Sequence, residues 1–434
     1  MTQVYLLIVT LAALRVWGAI DIPGFLILAF YLLSSIKNIK RKSVFKPFIL
    51  LLILFLVVSA FTSKYFRGQD IYATLRQTSP YMMICGYFYY MDKKFSVCNL
   101  EYLIYVLTII FDFAYILQYL LYPYGIAIFP DAETEYGTDV RLRLYGQNIC
   151  SLGMMFTFNK WLLTNKKKYF YVALTSFFII FLWGFRTLFA ASTLFLLLMY
   201  CKIKGVKSLM AFTPIFIVLL ILVFQVPVVQ EKIMSMLERQ NTNQSFGDKD
   251  YIRNLSINYY LFEHFKSGWE MFWGSGIPSG ESDYTNLMDY LDRKGFHWND
   301  MGLWGLSWVL GVPSVILMIG YGVKASMMRM ERRYIYLPYW FLFSLLTGFT
   351  TAEYIRMCFS TGDMPFLLTC DRNPCKSAQS SRTAHMSLNF PVLRFLSKIL
   401  NTSSDLFLLA YPLCSDCLLE FLIRCIECCS LIHI

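Results

Sequence analysis

The sequence predicts an all-α integral membrane protein: a polytopic bundle of about 11–12 transmembrane helices with one large outer loop. Three observations predict it. Of 434 residues, 57% are hydrophobic and 15% charged, whereas a soluble domain has about 45–50% apolar and about 25% charged residues. Apolar stretches of spanning length recur along most of the chain. Basic residues gather in alternate loops. One water-soluble core cannot bury so much apolar surface. A cytosolic enzyme, a DNA-binding protein and a disulfide-framed secreted domain are thereby excluded.

Eleven spans follow in order, at roughly 3–20, 22–36, 47–62, 76–91, 100–122, 148–164, 170–184, 187–201, 208–228, 299–322 and 335–354. All are expected to be helices, because a backbone in lipid must satisfy its own hydrogen bonds. No alternation of the outer-membrane barrel kind occurs. The first span lacks a small-residue cleavage site and is expected to be a retained helix.

The loops between spans set the orientation. Segments 37–46, 92–94, 165–168, 202–207 and 324–333 hold 17 Lys or Arg and two acids, Asp92 and Glu331. Loop 229–298 has seven basic and ten acidic residues. The positive-inside rule makes the first set cytoplasmic, puts the amino terminus inside, and turns loops 123–147 and 229–298 outward. This accounts for the net charge of +11 without nucleic acid.

The large loop is not a spacer. Residues 256–276, SINYYLFEHFKSGWEMFWGSG, are rich in Trp, Tyr and Phe. They predict one or two helices on the membrane surface, aromatic face inward. Gly274, Gly276, Pro278 and Gly280 then break the segment into a loop. Residues 1–370 form the membrane domain. The tail, 371–434, holds six of the twelve cysteines and differs in composition, as a sequence read in a shifted frame would. Its Cys414-x-x-Cys417 and Cys425-x-x-Cys428 pairs stand only seven residues apart, shorter than usual zinc spacing.

Signatures of other chemistry are missing or out of context. There is no phosphate-binding loop, no H-E-x-x-H and no G-x-S-x-G. Asp248-Lys249-Asp250 matches the metal–nucleotide pattern D-x-D, but in an outer loop it reads as a solvated turn. Four histidines make a multi-His metal cage improbable. No cofactor is expected.

What remains is a set of outward-facing residues. Arg186, in FLWGFRTLFAAS, occupies a turn so short that its guanidinium lies at the outer membrane surface. An ionisable group at that depth is a site candidate; the structural alternative is a snorkelling arginine on a helical hairpin. Arg141 and Arg143, in DVRLRLYGQN, and Arg253, in DYIRNLS, share that side. Arginine forks pair with phosphate oxygens bidentately and keep their charge, which suits a pyrophosphate at the membrane. A surface ion pair serves each loop arginine equally well. His297, in GFHWNDMGLWGLSWVLGV, precedes the tenth span. It is either a base or an interfacial residue. Asp300, three residues on, is placed either to cap the helix or to orient the imidazole.

These features together resemble the O-antigen polymerase and O-antigen ligase superfamily over roughly 100–355. The resemblance lies in their order: RLRLYGQN before a span, the tight turn GFRTLFAAS, then a large late loop. That loop carries an early arginine, a glycine-rich centre (FWGSGIPSG) and a late histidine running into a glycine-containing span. Family members usually have serine before the arginine of the tight turn, where this chain has Phe185, and often asparagine directly after the histidine, where it has Trp298. The resemblance implies a bundle of the lipid-linked-sugar transferase type in the bacterial inner membrane. It implies a donor glycan on undecaprenyl pyrophosphate, metal-free and nucleotide-free chemistry on the periplasmic face, and a flippase and a chain-length regulator as partners. Arg186 and His297 would then be catalytic, with Arg253, Arg141, Arg143 and Asp300 at the substrate.

Overall fold

The computed structural model describes residues 43–88, 97–126, 133–134, 142–143, 147–208, 251–280, 282–328 and 330–349, with single positions at 30, 32, 33, 36, 40, 230 and 234. The chain divides into two compact units, Met1–Met236 with Ser256–Lys376, and Leu237–Leu255 with Ser377–Ile434. Of the second, only Tyr251–Leu255 is described. The span expected at 3–20, nearly all of those at 22–36 and 208–228, the ends of the spans at 89–91 and 350–354, the 248–250 turn, Arg141 and the cysteine-rich tail lie outside the described residues.

Among the described residues the protein is helical apart from one short antiparallel pair, β1 (Glu133–Thr134) with β2 (Leu142–Arg143). The helices are α1 (Lys46–Arg67), α2 (Ile71–Met82), α3 (Val97–Leu121), α4 (Gln147–Thr164), α5 (Lys167–Leu182) and α6 (Arg186–Lys204). Then follow α7 (Ile252–Asn258), α8 (Gly268–Trp273), α9 (Asp283–Arg293), α10 (Leu303–Leu310), α11 (Val312–Ser326) and α12 (Tyr336–Gly348). Three are long and apolar enough to cross a membrane: Lys46–Arg67, Cys98–Tyr124 and Arg186–Lys204. Val312–Ser326 is apolar but shorter. At 1.5 Å per residue, 22 residues of α1 reach about 33 Å, the thickness of a hydrocarbon core.

Local sequence explains the element bounds. Pro47 starts α1, where a missing N–H costs nothing, and Gly68 ends it at φ 71°. Its buried face runs through Ile49, Leu52, Leu56 and Ala60 at helical spacing. α2 begins before the expected 76, and after Pro80 it tightens into a 3-10 turn at Met83–Cys85. Proline cannot donate to the Arg76 carbonyl; the Ser79 hydroxyl does so at 2.7 Å. The tenth span departs most from expectation. The run 299–322 is not one helix but a 3-10 turn (Trp298–Met301) and α10 and α11, separated by Gly302 at φ 62° and Gly311 at φ 86°. Pro313 in the first turn of α11 removes a donor that a continuous helix would need.

The core packing gives this unit two distinct ends. Glu101, at the start of α3, is buried and pairs with Lys160 near the end of α4 (2.9 Å) and with Arg333 before α12 (2.5 Å). Phe45, just before α1, packs on Tyr321 near the end of α11 at 5.4 Å. Phe195 at the middle of α6 packs on Tyr339 in the first turn of α12 at 6.3 Å. Residues 43–46, 165–168, 202–207, 324–328 and 330–333 are therefore gathered at one end. Arg67 at the far terminus of α1, and Arg186 between the antiparallel α5 and α6, stand at the other.

Candidate functional site

At that second end the loop 264–280 is fixed on the last turn of α1 by a buried ionic knot. The Arg67 and Glu270 side chains, 5% and 0% exposed, meet at 2.5 Å. Arg67 Nη2 donates to the His264 carbonyl at 2.6 Å. Glu270 also accepts from the Lys266 amide (2.7 Å) and the Ser275 hydroxyl (2.9 Å), while Ser267 caps α8. A carboxylate so surrounded is fully compensated, as a buried charge must be. Gln69 donates to the Ile277 carbonyl at 2.8 Å and accepts from the Ser279 amide at 2.8 Å.

The glycine-rich stretch then docks on the break between α10 and α11. The Ser275 and Gly276 amides donate to the carbonyls of Trp308 and Val309, both at 2.9 Å. Helix termination at Gly311 leaves those carbonyls without helical partners, and the loop supplies the donors. The approach is backbone to backbone. A Cβ at Gly311 would meet the Phe272 carbonyl oxygen at 2.1 Å, and one at Gly274 the Val309 oxygen at 2.3 Å. Both glycines have positive φ, and the break expected at Gly274, Gly276 and Gly280 is present.

His297 sits in the turn that follows α9. Tyr260 donates to the Phe296 carbonyl at 3.0 Å and packs on Trp308 at 4.7 Å between ring centres. His297 Nδ1 lies 3.2 Å from Asp292 Oδ1, the two side chains 51% and 44% exposed. α9, capped by Ser282, ends at Lys294, and Gly295 at φ 84° turns the chain so that His297 comes back over Asp292. Burial holds the Asp292 carboxyl above its ordinary range, and the neighbouring His297 partly offsets this. Asp300 contacts His297 through the main chain, its amide donating to the His297 carbonyl at 3.1 Å. The carboxylate on the imidazole is Asp292, and no side chain caps α10, whose N-cap is Gly302. A carboxylate on Nδ1 fixes the tautomer in which Nε2 accepts a proton.

The arginines are distributed. Arg186 is exposed in the first turn of α6, after the tight turn at Gly184 (φ 69°). Arg143 pairs through its backbone with Glu133. Arg253 is half-buried on α7, in the second compact unit. The structure thus joins His297, Asp292 and Asp300 in one turn and sets Arg186 at the same end of the first unit. No group of three His, Cys, Asp or Glu able to hold a metal occurs among the described residues.

Sequence reasoning missed several groups. Arg67 and Glu270 are 203 residues apart, and nothing local links them. His264 is buried on Tyr259, Tyr260 and Trp308, and burial with the nearby Arg67 and Lys266 pushes its imidazole down to about 3. Asp112 is a miss with a sequence signal, an acid in the middle of the span 100–122. It is 4% exposed and accepts a 2.6 Å hydrogen bond from Ser176. No protein-family model, curated protein or solved structure matches the chain.

Proposed function

We propose that this protein is an O-antigen or capsular polysaccharide polymerase of the bacterial inner membrane. On this reading it has about 11–12 spans, a cytoplasmic amino terminus and loop 229–298 in the periplasm. The supporting observation is the His297–Asp292 pair at 3.2 Å, half exposed at the end away from the basic loops, where Arg186 also stands. An acceptor sugar hydroxyl attacks the anomeric carbon of a glycan on undecaprenyl pyrophosphate. The new glycosidic bond forms as the bond to the pyrophosphate oxygen breaks. His297 takes the hydroxyl proton, and Asp292 stabilises the imidazolium. Arg186, with Arg141 or Arg143, offsets the charge on the departing lipid pyrophosphate. Each link needs a glycan donor, membrane lipid and, in the cell, a flippase and a chain-length regulator, but neither nucleotide nor metal.

A ligase that passes the glycan to lipid A–core would use the same donor chemistry. Glycan length in cells separates the two: loss of a polymerase leaves single repeats on the core, and loss of a ligase leaves bare core. A lipid-linked-glycan flippase is the second reading, favoured by one observation, the buried Asp112 within a spanning helix.

A further inference from the structure

Asp112 stands near the middle of the span Cys98–Tyr124, 4% exposed, on the face that α3 turns to α4 and α5. Its Oδ2 accepts from the Ser176 hydroxyl of α5 at 2.6 Å. Its Oδ1 has no hydrogen-bond partner among the described residues. The titratable group facing it from α4 is the Cys150 thiol, which interacts with the carboxylate and donates to the Ser176 carbonyl at 3.5 Å. From α5 the facing group is Ser176, which carries no charge. On α3 itself the nearest titratable side chain is Tyr115, one turn on. No Lys, Arg or His pairs with Asp112 among the described residues. A bare carboxylate in such a place is costly, and the usual outcome is neutralisation by a bound cation or a proton.

The donor set decides between these. A hard metal cation wants about six oxygens. The described groups supply the Asp112 oxygens, one hydroxyl and a thiol, a soft ligand. A proton needs only Oδ1, the atom left without a partner. We propose that Asp112, with Ser176, is a proton-binding site at the centre of the bundle.

Its neighbours give the site a side. Toward the end that carries the Glu101 cluster, the Thr108 and Thr157 hydroxyls are spent on their own helices, bonding the carbonyls of Ile104 and Gly153 at 2.7 Å each. Gly153 lets α3 and α4 close tightly there, since a Cβ would lie 1.8 Å from Thr108 Oγ1. Toward the Arg186 end the buried Tyr115 hydroxyl, the Asn148 amide and the Trp183 indole N–H have no partner among the described residues. Tyr115 is three residues past Asp112, about 4.5 Å along the helix. These unspent donors and acceptors begin one turn from Asp112 and make a route for proton exchange toward that end. The site is independent of the glycan chemistry and would serve a polymerase, a ligase or a transporter alike.

Infrared difference spectra of the purified protein in lipid nanodiscs test the proposal. The expected result at neutral pH is a protonated-carboxyl C=O band that shifts in D2O and is lost in Asp112→Asn. Ser176→Ala, which keeps the acid, should retain the band at an altered frequency because the hydroxyl partner is gone. Tyr115→Phe should slow the D2O shift. Absence of the band in the wild-type protein at neutral pH, or its loss on adding sodium ions, would overturn the proton assignment. A band unchanged in both Asp112→Asn and Ser176→Ala would do the same. An unaltered exchange rate in Tyr115→Phe would overturn the route.

Discussion

His297 and Asp292 are five residues apart, yet they meet only because the chain turns at Lys294–Gly295 after α9. The histidine was legible in the sequence as an outward residue before an apolar run. Its carboxylate was not, because the partner lies upstream across a glycine turn, whereas helical spacing pointed to Asp300. The pair predicts a graded loss. His297→Ala should lower turnover of a lipid-linked donor by about two to four orders of magnitude, with donor binding kept. Asn at 297 should not rescue, since an amide cannot take the proton. Asp292→Asn should cost less. Because burial raises the Asp292 carboxyl, its ionised form disappears as pH falls through that raised value, and the support it gives His297 goes with it. The acid limb of the wild-type rate profile should therefore flatten in Asp292→Asn. A profile unchanged in that variant would separate the carboxylate from the chemistry. Arg186 makes its own prediction: Arg186→Ala should abolish extension and Arg186→Lys restore it partly, since a point charge cannot fork across two phosphate oxygens. Full activity in Arg186→Ala would leave that residue as a snorkelling cap.

Helix spans with unbroken apolar cores were read to within about five residues at either end. Sequence gave 47–62, 100–122 and 187–201, and the structure has Lys46–Arg67, Cys98–Tyr124 and Arg186–Lys204. The run 299–322 was misread because an isolated glycine in an apolar stretch does not distinguish a tolerated helical residue from a break. Only the loop 272–276, which needs the freed carbonyls of α10, decides it. Gly311→Ala should therefore destabilise the protein by more than about 1 kcal/mol, read as faster thermal inactivation in detergent. Normal stability would mean that α10 and α11 do not need the break. The knot between α1 and α8 predicts more. Arg67→Met or Glu270→Leu alone strands a buried charge, a loss of about 3–5 kcal/mol, and the double variant should lose less than the two singles combined. His264 adds a pH dependence to this element. Its proton is bound by the unfolded chain below about pH 6.5 but by the folded one only near 3. The neutral, buried form is thus fully stabilising above pH 6.5, and stability falls as pH drops toward 3, by up to about 1.4 kcal/mol per pH unit. His264→Phe should flatten that slope in a pH series of thermal inactivation.

Within the larger compact unit, the described residues of the basic segments lie at one end and Arg67 and Arg186 at the other. The alternation of basic and mixed loops was legible because it is a property of composition. The contacts that realise it were not, because Glu101, Lys160 and Arg333 lie 59 and 232 residues apart in the chain. Reporter fusions after residues 42, 167, 205 and 330 should be cytoplasmic and those at 135 and 260 periplasmic. An inverted 229–298 loop would put the donor and His297 on opposite faces. The central claim is that this end of the molecule joins glycans, and one reconstitution tests it directly. Purified protein in proteoliposomes is given an undecaprenyl-pyrophosphate-linked repeat unit as the sole sugar. The account predicts a ladder of longer glycans, one undecaprenyl pyrophosphate released per new linkage, and no ladder with His297→Ala or Arg186→Ala. A donor that crosses the bilayer yet keeps its single repeat and its pyrophosphate bond would contradict it and identify a flippase.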